Sequence, residues 1–297
     1  MLRLAQKLVL PLMPAGAHGW IPNALLSVYR RASKDVCIVS YPGSGRTWLR
    51  LMIGKALASV TNLPVDKFWD LHTLSLGADG RKLPRIIMTH DDNAFTKLPQ
   101  DISIKEKFYA GRKIIFLARD PRDLVVSWYF EQLKRSNRSG GAAYDSFKGP
   151  LEDFIDQQTG SLDTIIAFYN IWFRRSAGPG EFLLTRYEDF HHHPEEKLRR
   201  CLAFCGVGDI AGPVITEAVA YAAFDNMREM EKKNSLVWDE FQPGDIDDGQ
   251  SFKTRQGKIG DHRNQLNPEI CDALDAKIAN QLDPGFGYSV AGGRNKA

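Results

Sequence analysis

Residues 36–51 read "VCIVSYPGSGRTWLRL". An unbroken apolar run is followed by a Pro-Gly-Ser-Gly turn, and a new apolar pattern begins at Arg46. A short continuous apolar run bounded by turn residues fits a strand of a parallel sheet that is covered on both faces. Strand, glycine-bearing turn and helix in this order make the layout of a phosphate-binding loop. The first N–H groups of a helix lack partners within it, and the helix dipole is positive there, so an anion is favoured. Gly43 and Gly45 let the backbone come close to that anion, and Ser44 and Thr47 add hydroxyl donors. The loop departs from the G-x-x-x-x-G-K-[ST] pattern. Ser40 stands at the first glycine and Arg46 at the lysine.

Working outward, the same alternation recurs. "RIIMTH" (85–90) reads as a second strand and "RKIIFLAR" (112–119) as a third, while "EFLLTRYEDF" (181–190) opens as a fourth. Helices are expected over 46–60, 124–134, 151–158, 161–176, 195–206 and 268–282, with "DPRD" (120–123) as a turn and helix start. Residues 136–150 read as a Gly/Ser-rich loop and 232–253 as polar and irregular. Strands alternating with helices imply βαβ units. The expected fold is α/β: one domain, a central parallel sheet flanked by helices, and a P-loop NTPase-like plan.

The 297 residues carry 43% hydrophobic and 25% charged residues, an ordinary globular composition. A formal net charge of +3 is too mild for bulk nucleic-acid binding, so any anion site is local. Four cysteines read as reduced core thiols. Cys201 and Cys205 with His191–His193 lack a standard metal-ligand spacing, and no metal is expected. No apolar run reaches the ~18 residues of a membrane span. The N-terminal stretch is broken by Pro11 and Pro14 and fits a docked or membrane-brushing helix better than a signal peptide.

Two further constellations carry chemistry. In "ARDPRDLVVSWYF" (118–130), Arg119 ends a strand and Ser127 lies within the next helix. A guanidinium fork suits a phosphate monoester, and a serine can complete the grip. In "FKTRQGKIGDHRNQL" (252–266), Arg255, Lys258 and Arg263 fall close together, with Gly257 and Gly260 between them. Such a loop can wrap an anion. Each constellation alone is equally an exposed charged segment.

Taken in order, the three resemble the sulfotransferases that depend on 3′-phosphoadenosine 5′-phosphosulfate (PAPS), whose first motif runs Y-P-K-S-G-T-T-W. Tyr41 to Trp48 stand at that motif. Arg119 and Ser127 match the second motif, and Arg255, Gly257, Gly260 and Asp261 match R-x-G-x-x-G-D. "RYEDF" (186–190) matches a family strand ending in Y-E-D, and His90 matches the catalytic base. The resemblance implies that Pro42, Gly43, Ser44, Gly45, Arg46, Thr47 and Trp48 hold the 5′-phosphosulfate. It implies that Arg119 and Ser127 grip the 3′-phosphate with Arg255, Gln256 and Gly257, and that Trp48, Tyr187 and Phe224 frame the adenine. PAPS is then the cosubstrate and PAP the desulfated product, with no metal required. Residues 34–290 would form the sulfotransferase domain, with 1–33 an N-terminal helical or extended segment and 291–297 a flexible tail.

The departures are specific. Gly43 stands at the family's loop lysine, and Met88 stands where some members carry a second lysine. Arg46 is the most economical replacement for the missing charge, and His90 and Arg46 are therefore the expected catalytic pair. A P-loop kinase or NTPase, and an inactive nucleotide-binding protein, are the competing readings. The acceptor is a hydroxyl on a carbohydrate, lipid or small molecule. Trp69, Trp128, Tyr129, Phe130 and Trp172 offer stacking faces, though such residues also build cores. The acidic stretch 239–248 argues against a highly anionic polymer. A cytoplasmic location, with peripheral membrane contact through the N-terminal segment, completes the expectation. The oligomeric state is left open.

Overall fold

Strand β1 (Val36–Ser40) is buried along its whole length. Val36 and Ile38 enter one core, and Cys37 and Val39 enter another. Successive side chains of a strand point to opposite faces, so an unbroken apolar strand requires cover on both. That cover exists. The computed structural model of the chain describes residues 35–61, 83, 85–91, 93–135, 147–235 and 241–288. The expected N-terminal segment, the C-terminal tail, Trp69, Asp239, Glu240 and most of the Gly/Ser-rich loop lie outside the described residues.

β2 (Ile86–Thr89), β3 (Lys113–Ala118) and β4 (Phe182–Arg186) join β1 in one parallel sheet of order β2-β1-β3-β4. Helix α1 (Arg46–Thr61) packs on the Val36/Ile38 face. Helices α2 (Pro121–Arg135) and α3 (Leu162–Ser176) pack on the Cys37/Val39 face. Chain leaving β1 thus goes to one face and chain leaving β3 to the other. Ligands of open α/β sheets bind at such a switch point, beyond the carboxyl ends of the strands. The α3 side is aromatic: Phe168, Tyr169, Trp172 and Phe286 surround Phe116 with ring centroids 5.4–5.9 Å away. Each such buried ring contributes about 1.5–3 kcal/mol of apolar burial. Trp172 is therefore a core residue and not an acceptor platform.

Several boundaries differ from the sequence expectation. β4 stops at Arg186, and Tyr187 opens helix α4 (Tyr187–His192), so the Y-E-D stretch is a helix start and not a strand end. Glu188 and Asp189 in a first turn favour the helix through its dipole, and Arg186 pairs with Asp189 at 2.9 Å. Helix α2 starts at Pro121 and not Leu124, since proline is pre-organised for the first helical turn. The helix expected over 151–158 ends at Ile155. Beyond α5 (Pro194–Phe204), two unexpected helices appear, α6 (Gly212–Tyr221) and α7 (Phe224–Lys232). The last helix, α8 (Pro268–Gln281), lies where expected, and the whole is a single α/β domain.

Cys37, Cys201 and Cys205 are buried free thiols, and burial pushes Cys201 up to about 12. Among the described residues, no group of three His, Cys, Asp or Glu side chains could hold a metal, and no helix is long and apolar enough to cross a membrane.

Candidate active site

A cleft of about 440 Å³ opens beyond the carboxyl ends of the strands. Parallel register determines what meets there. Val39 pairs with Thr89, so the next residues, Ser40 and His90, come side by side. His90 Nδ1 lies 2.7 Å from the Ser40 carbonyl oxygen. A carbonyl only accepts, so Nδ1 donates and Nε2 carries the lone pair. On the other side of β1, Ala118 pairs with Arg186, which brings Arg119 beside Tyr187. The Arg119 guanidinium lies 4.4 Å from the centre of the Tyr187 ring.

The turn after β1 needs its glycines. Gly43 and Gly45 have φ of +84° and +88°, which L side chains rarely adopt. A Cβ on Gly45 would also lie 2.5 Å from the Tyr187 ring. Pro42, Gly43, Gly45, Arg46, Thr47 and Trp48 all line the cleft. Ser44 does not: it is fully buried and its hydroxyl donates to the Tyr41 carbonyl at 2.8 Å. Its side chain shapes the turn, and the expected hydroxyl contact with the anion is corrected accordingly. The Trp48 ring meets Tyr187 and His191 with centroids 5.5 and 5.0 Å apart.

The residues of the second expected grip come together from three parts of the chain. Arg119, nearly buried, donates to the Gly43 carbonyl at 2.9 Å and reaches the Lys258 carbonyl at 3.5 Å, so it ties the opening turn to the C-terminal loop. Ser127 lines the cleft from α2. Arg255 lies 4.3 Å from the Phe130 ring centre and donates to Asp261 at 2.6 Å. Burial lowers the Arg255 pKa, Asp261 opposes that, and Arg119 lowers it further. Two guanidinium groups that repel each other beside a cleft favour an anion. Gln256 and Gly257 also line it. Gly257 has φ of +62° and a Cβ there would fall 2.4 Å from the Phe224 ring, so Phe224, 40% exposed at the start of α7, lies against this loop.

Asp123 positions the loop. It accepts from the backbone N–H groups of Gly260 and His262 at 2.6 and 3.0 Å and lies 2.7 Å from His262 Nδ1. Burial pushes its carboxyl up, but the His262 bonds and Arg119 outweigh this and hold it below the ordinary value. Glu231, also buried, accepts from the N–H groups of Lys253 and Thr254 and from the Thr254 hydroxyl.

His90 is half-buried and its pKa lies well below the ordinary 6.5. Loss of hydration is the largest cause, and positive charge on Arg46, Lys253 and Arg50 adds to it, against the Ser40 hydrogen bond. The imidazole is therefore neutral and able to take a proton at neutral pH.

The cleft also exposes residues that the motifs did not single out: Asn93, Phe95, Glu131, His191 and Lys253. Glu131 was findable, since it lies four residues after Ser127 on one helix face. Lys253 lay within the basic stretch 252–266. Trp128 joins the wall with Phe95, ring centroids 5.0 Å apart. Tyr129 is instead buried against Phe154, and Phe130 supports Arg255. A Walker-type carboxylate is not among the described residues of the cleft. Asp91 accepts from the Tyr109 hydroxyl, Asp120 is held by Arg122, and neither lines the cleft.

Comparison with known proteins identifies the family. The sulfotransferase domain family matches residues 33–284. Cytosolic sulfotransferase 17 of Arabidopsis thaliana is 24% identical over 295 residues, covering 92% of this chain and 83% of the relative. Sulfotransferase 2B1 of Homo sapiens is 26% identical over 259 residues, covering 84% and 66%. Among solved structures, mouse sulfotransferase SULT7A1 complexed with PAP has a TM-score of 0.57 at 20% identity, covering 84% of both chains. Retinol dehydratase in a complex with retinol and PAP has a TM-score of 0.57 at 16% identity, covering 88% and 85%. Those two likenesses speak for the fold. The family match spans all the sequence motifs and His90, and the chain belongs to the sulfotransferase family, the PAPS-dependent enzymes that its motifs resemble.

Proposed function

We propose that the cleft binds PAPS at two points and transfers its sulfuryl group to a hydroxyl of a small-molecule acceptor, with His90 as general base. The 5′-phosphosulfate lies on the turn from Pro42 to Trp48, and the 3′-phosphate lies between Arg119, Ser127 and Arg255–Gly257. Trp48, Tyr187 and Phe224 frame the adenine. The single supporting observation is that two separate cationic grips open onto one cleft with a neutral histidine. A ligand with two phosphate ends uses both grips, whereas a single phosphate leaves one idle.

The reaction balances without a cofactor beyond PAPS. The acceptor oxygen attacks sulfur as His90 Nε2 takes the hydroxyl proton. The bond from sulfur to the bridging oxygen breaks, and its electron pair stays on the 5′-phosphate of PAP. Arg46, the first residue of α1, offsets the charge on that leaving group. Phe95 and Trp128 favour an acceptor with an apolar ring or chain near its hydroxyl. The retinol and androsterone bound by retinol dehydratase have this character. Relatives named as cytosolic support the same location for this chain.

His90→Ala tests the assignment. Turnover of PAPS falls about 10²–10⁴-fold while the thermal stabilisation by PAP is retained, because a general base acts in the transition state. Turnover equal to the parent's refutes His90 as base. Stabilisation by ATP with Mg²⁺ and none by PAP refutes the PAPS reading.

A further inference from the structure

Lys253 lies two residues ahead of Arg255 and lines the same cleft as His90, Arg46 and Ser127. Its backbone N–H donates to Glu231 at 2.5 Å, which pins the chain at this residue. Its ammonium donates to Glu131 Oε1 at 2.8 Å, and the side chain keeps 27% of its exposure. The main chain is thus fixed while the four-carbon stem can turn.

Glu131 is not dependent on Lys253 alone. Arg135 Nε also lies 3.2 Å from its carboxylate. Burial pushes the Glu131 carboxyl up, but Lys253 and Arg135 together hold it below the ordinary value. The ammonium can therefore move to another anion and leave Glu131 paired. Glu131 lines the same cleft, so a sulfuryl group bound near it is repelled unless a cation stands between them.

The reaction needs that cation. Within "YPGSGRTW", Arg46 is the sole basic residue. A lysine cannot simply return at position 43. Gly43 has φ of +84°, and a Cβ there would lie 3.2 Å from the Ser127 hydroxyl and 3.3 Å from Leu124. Met88 is occupied in another way, accepting from Arg50 Nε at 3.1 Å. A second positive charge at the sulfuryl group would come from outside the opening turn.

We propose that Lys253 is a catalytic residue of sulfuryl transfer: its ammonium turns from Glu131 onto a non-bridging oxygen of the sulfuryl group. This rests on the reading of the cleft as a PAPS site. Lys253 donates a hydrogen bond throughout and gives up no proton. The acceptor's proton goes to His90, and the electron pair of the broken S–O bond goes to the 5′-phosphate of PAP. The ammonium steadies the negative charge as that bond lengthens. Its field already reaches the histidine, whose proton affinity it lowers.

The test is PAP release from PAPS, with water and with 4-nitrophenol as acceptors, for the parent, Lys253→Met and Lys253→Arg. Lys253→Met should turn over about 10²–10³-fold more slowly, the cost of one preorganised donor. Its stabilisation by PAP should match the parent's, since PAP lacks the sulfuryl group. The acid limb of its kcat/KM profile should move to higher pH, because a charge beside His90 is gone. Lys253→Arg should recover part of the turnover. Lys253→Gln, which still donates to Glu131, replaces Lys253→Met if that variant does not fold. A parent that turns over PAPS beside an equally active Lys253→Met overturns this inference alone. So does a variant that loses PAP affinity as much as turnover, which marks a structural ion pair. A parent that releases no PAP overturns the PAPS reading, and this inference with it.

Discussion

Residues 41–48 and 252–261 face one cleft, but they keep their shapes by different means. In the opening turn, Ser44 bonds back to the Tyr41 carbonyl and Leu49 N–H to Gly45, contacts that span three or four residues. Two glycines at positive φ and a helix start complete it. The C-terminal loop also has local pieces, the Arg255–Asp261 bond and Gly257 and Gly260 at positive φ, but its main chain is held from afar as well. Glu231 holds Thr254 across 23 residues of sequence and Asp123 holds Gly260 across 137. Both anchors are buried carboxylates. The proposed 5′ grip is thus framed within a contiguous motif, and the proposed 3′ grip depends in addition on distant helices. Arg119 joins them, bonded to a carbonyl of each.

The largest expected effect follows from breaking a remote anchor. Glu231→Ala removes the acceptor of two N–H groups and a hydroxyl and leaves Arg135 with an incomplete partner set. Breaking a buried ion pair by removing one partner costs about 3–5 kcal/mol. At roughly 2–4 °C per kcal/mol for a domain near this size, Tm should fall by about 6–20 °C. Thermal unfolding monitored by circular dichroism reads this directly. A Tm within about 2 °C of the parent's would mean that the loop is held locally after all.

Arg119→Ala tests the joint between the two loops, with a smaller effect. A charge-assisted hydrogen bond is worth about 1.5–3 kcal/mol, so PAP affinity should fall by roughly 10–150-fold. Adenosine 5′-phosphosulfate lacks the 3′-phosphate and should lose much less. Isothermal titration with both ligands gives the ratio. Equal losses would show that Arg119 acts only by bracing Gly43 and Tyr187, and that the 3′-phosphate lies elsewhere.

What the sequence disclosed follows the same division. The opening turn was legible because its strand, glycines and helix start are contiguous, and the β1 register then carries His90 to Ser40 without further information. The parallel sheet was legible because β1 and β3 are apolar on both faces. Helix α6 was not. It begins Gly-Pro and holds Val214, Ile215, Thr216 and Val219, poor helix formers, and it forms by packing on α1. Helix α7 buries a glutamate, and no local rule expects Glu231 inside. Tyr187 lines the cleft but was assigned to the wrong element, because strand end and helix start are adjacent residues here. Ser44 was misread because a hydroxyl in an anion loop can face inward as readily as outward. Glu131 and Lys253 belong to no motif, and their meeting depends on a fold that joins residues far apart in the chain.

The smallest effect, in pH, measures how each loop acts on His90. Burial and nearby positive charge hold its folded pKa well below 6.5. With His90 as the proposed base the neutral imidazole is the active form, so kcat/KM for PAPS, which reports the free enzyme, should stay level from neutrality down through pH 6.5. It should fall only at more acidic pH. Folding stability follows the same sign. The unfolded chain takes up the proton more readily than the folded one, so the contribution of the neutral buried His90 is full above pH 6.5. It is lost as pH falls from there toward the folded value. Arg46 belongs to the opening turn and is the larger charge effect, and Lys253 belongs to the C-terminal loop and is the smaller. Arg46→Ala should therefore move the acid limb upward by more than Lys253→Met does. A charge interaction of about 1 kcal/mol corresponds to ~0.7 of a pKa unit, which a profile sampled every quarter unit resolves. An acid limb at or above pH 6.5 in the parent would mean that the titrating base is another group. Equal limbs in both variants and the parent would mean that neither loop sets the charge around His90.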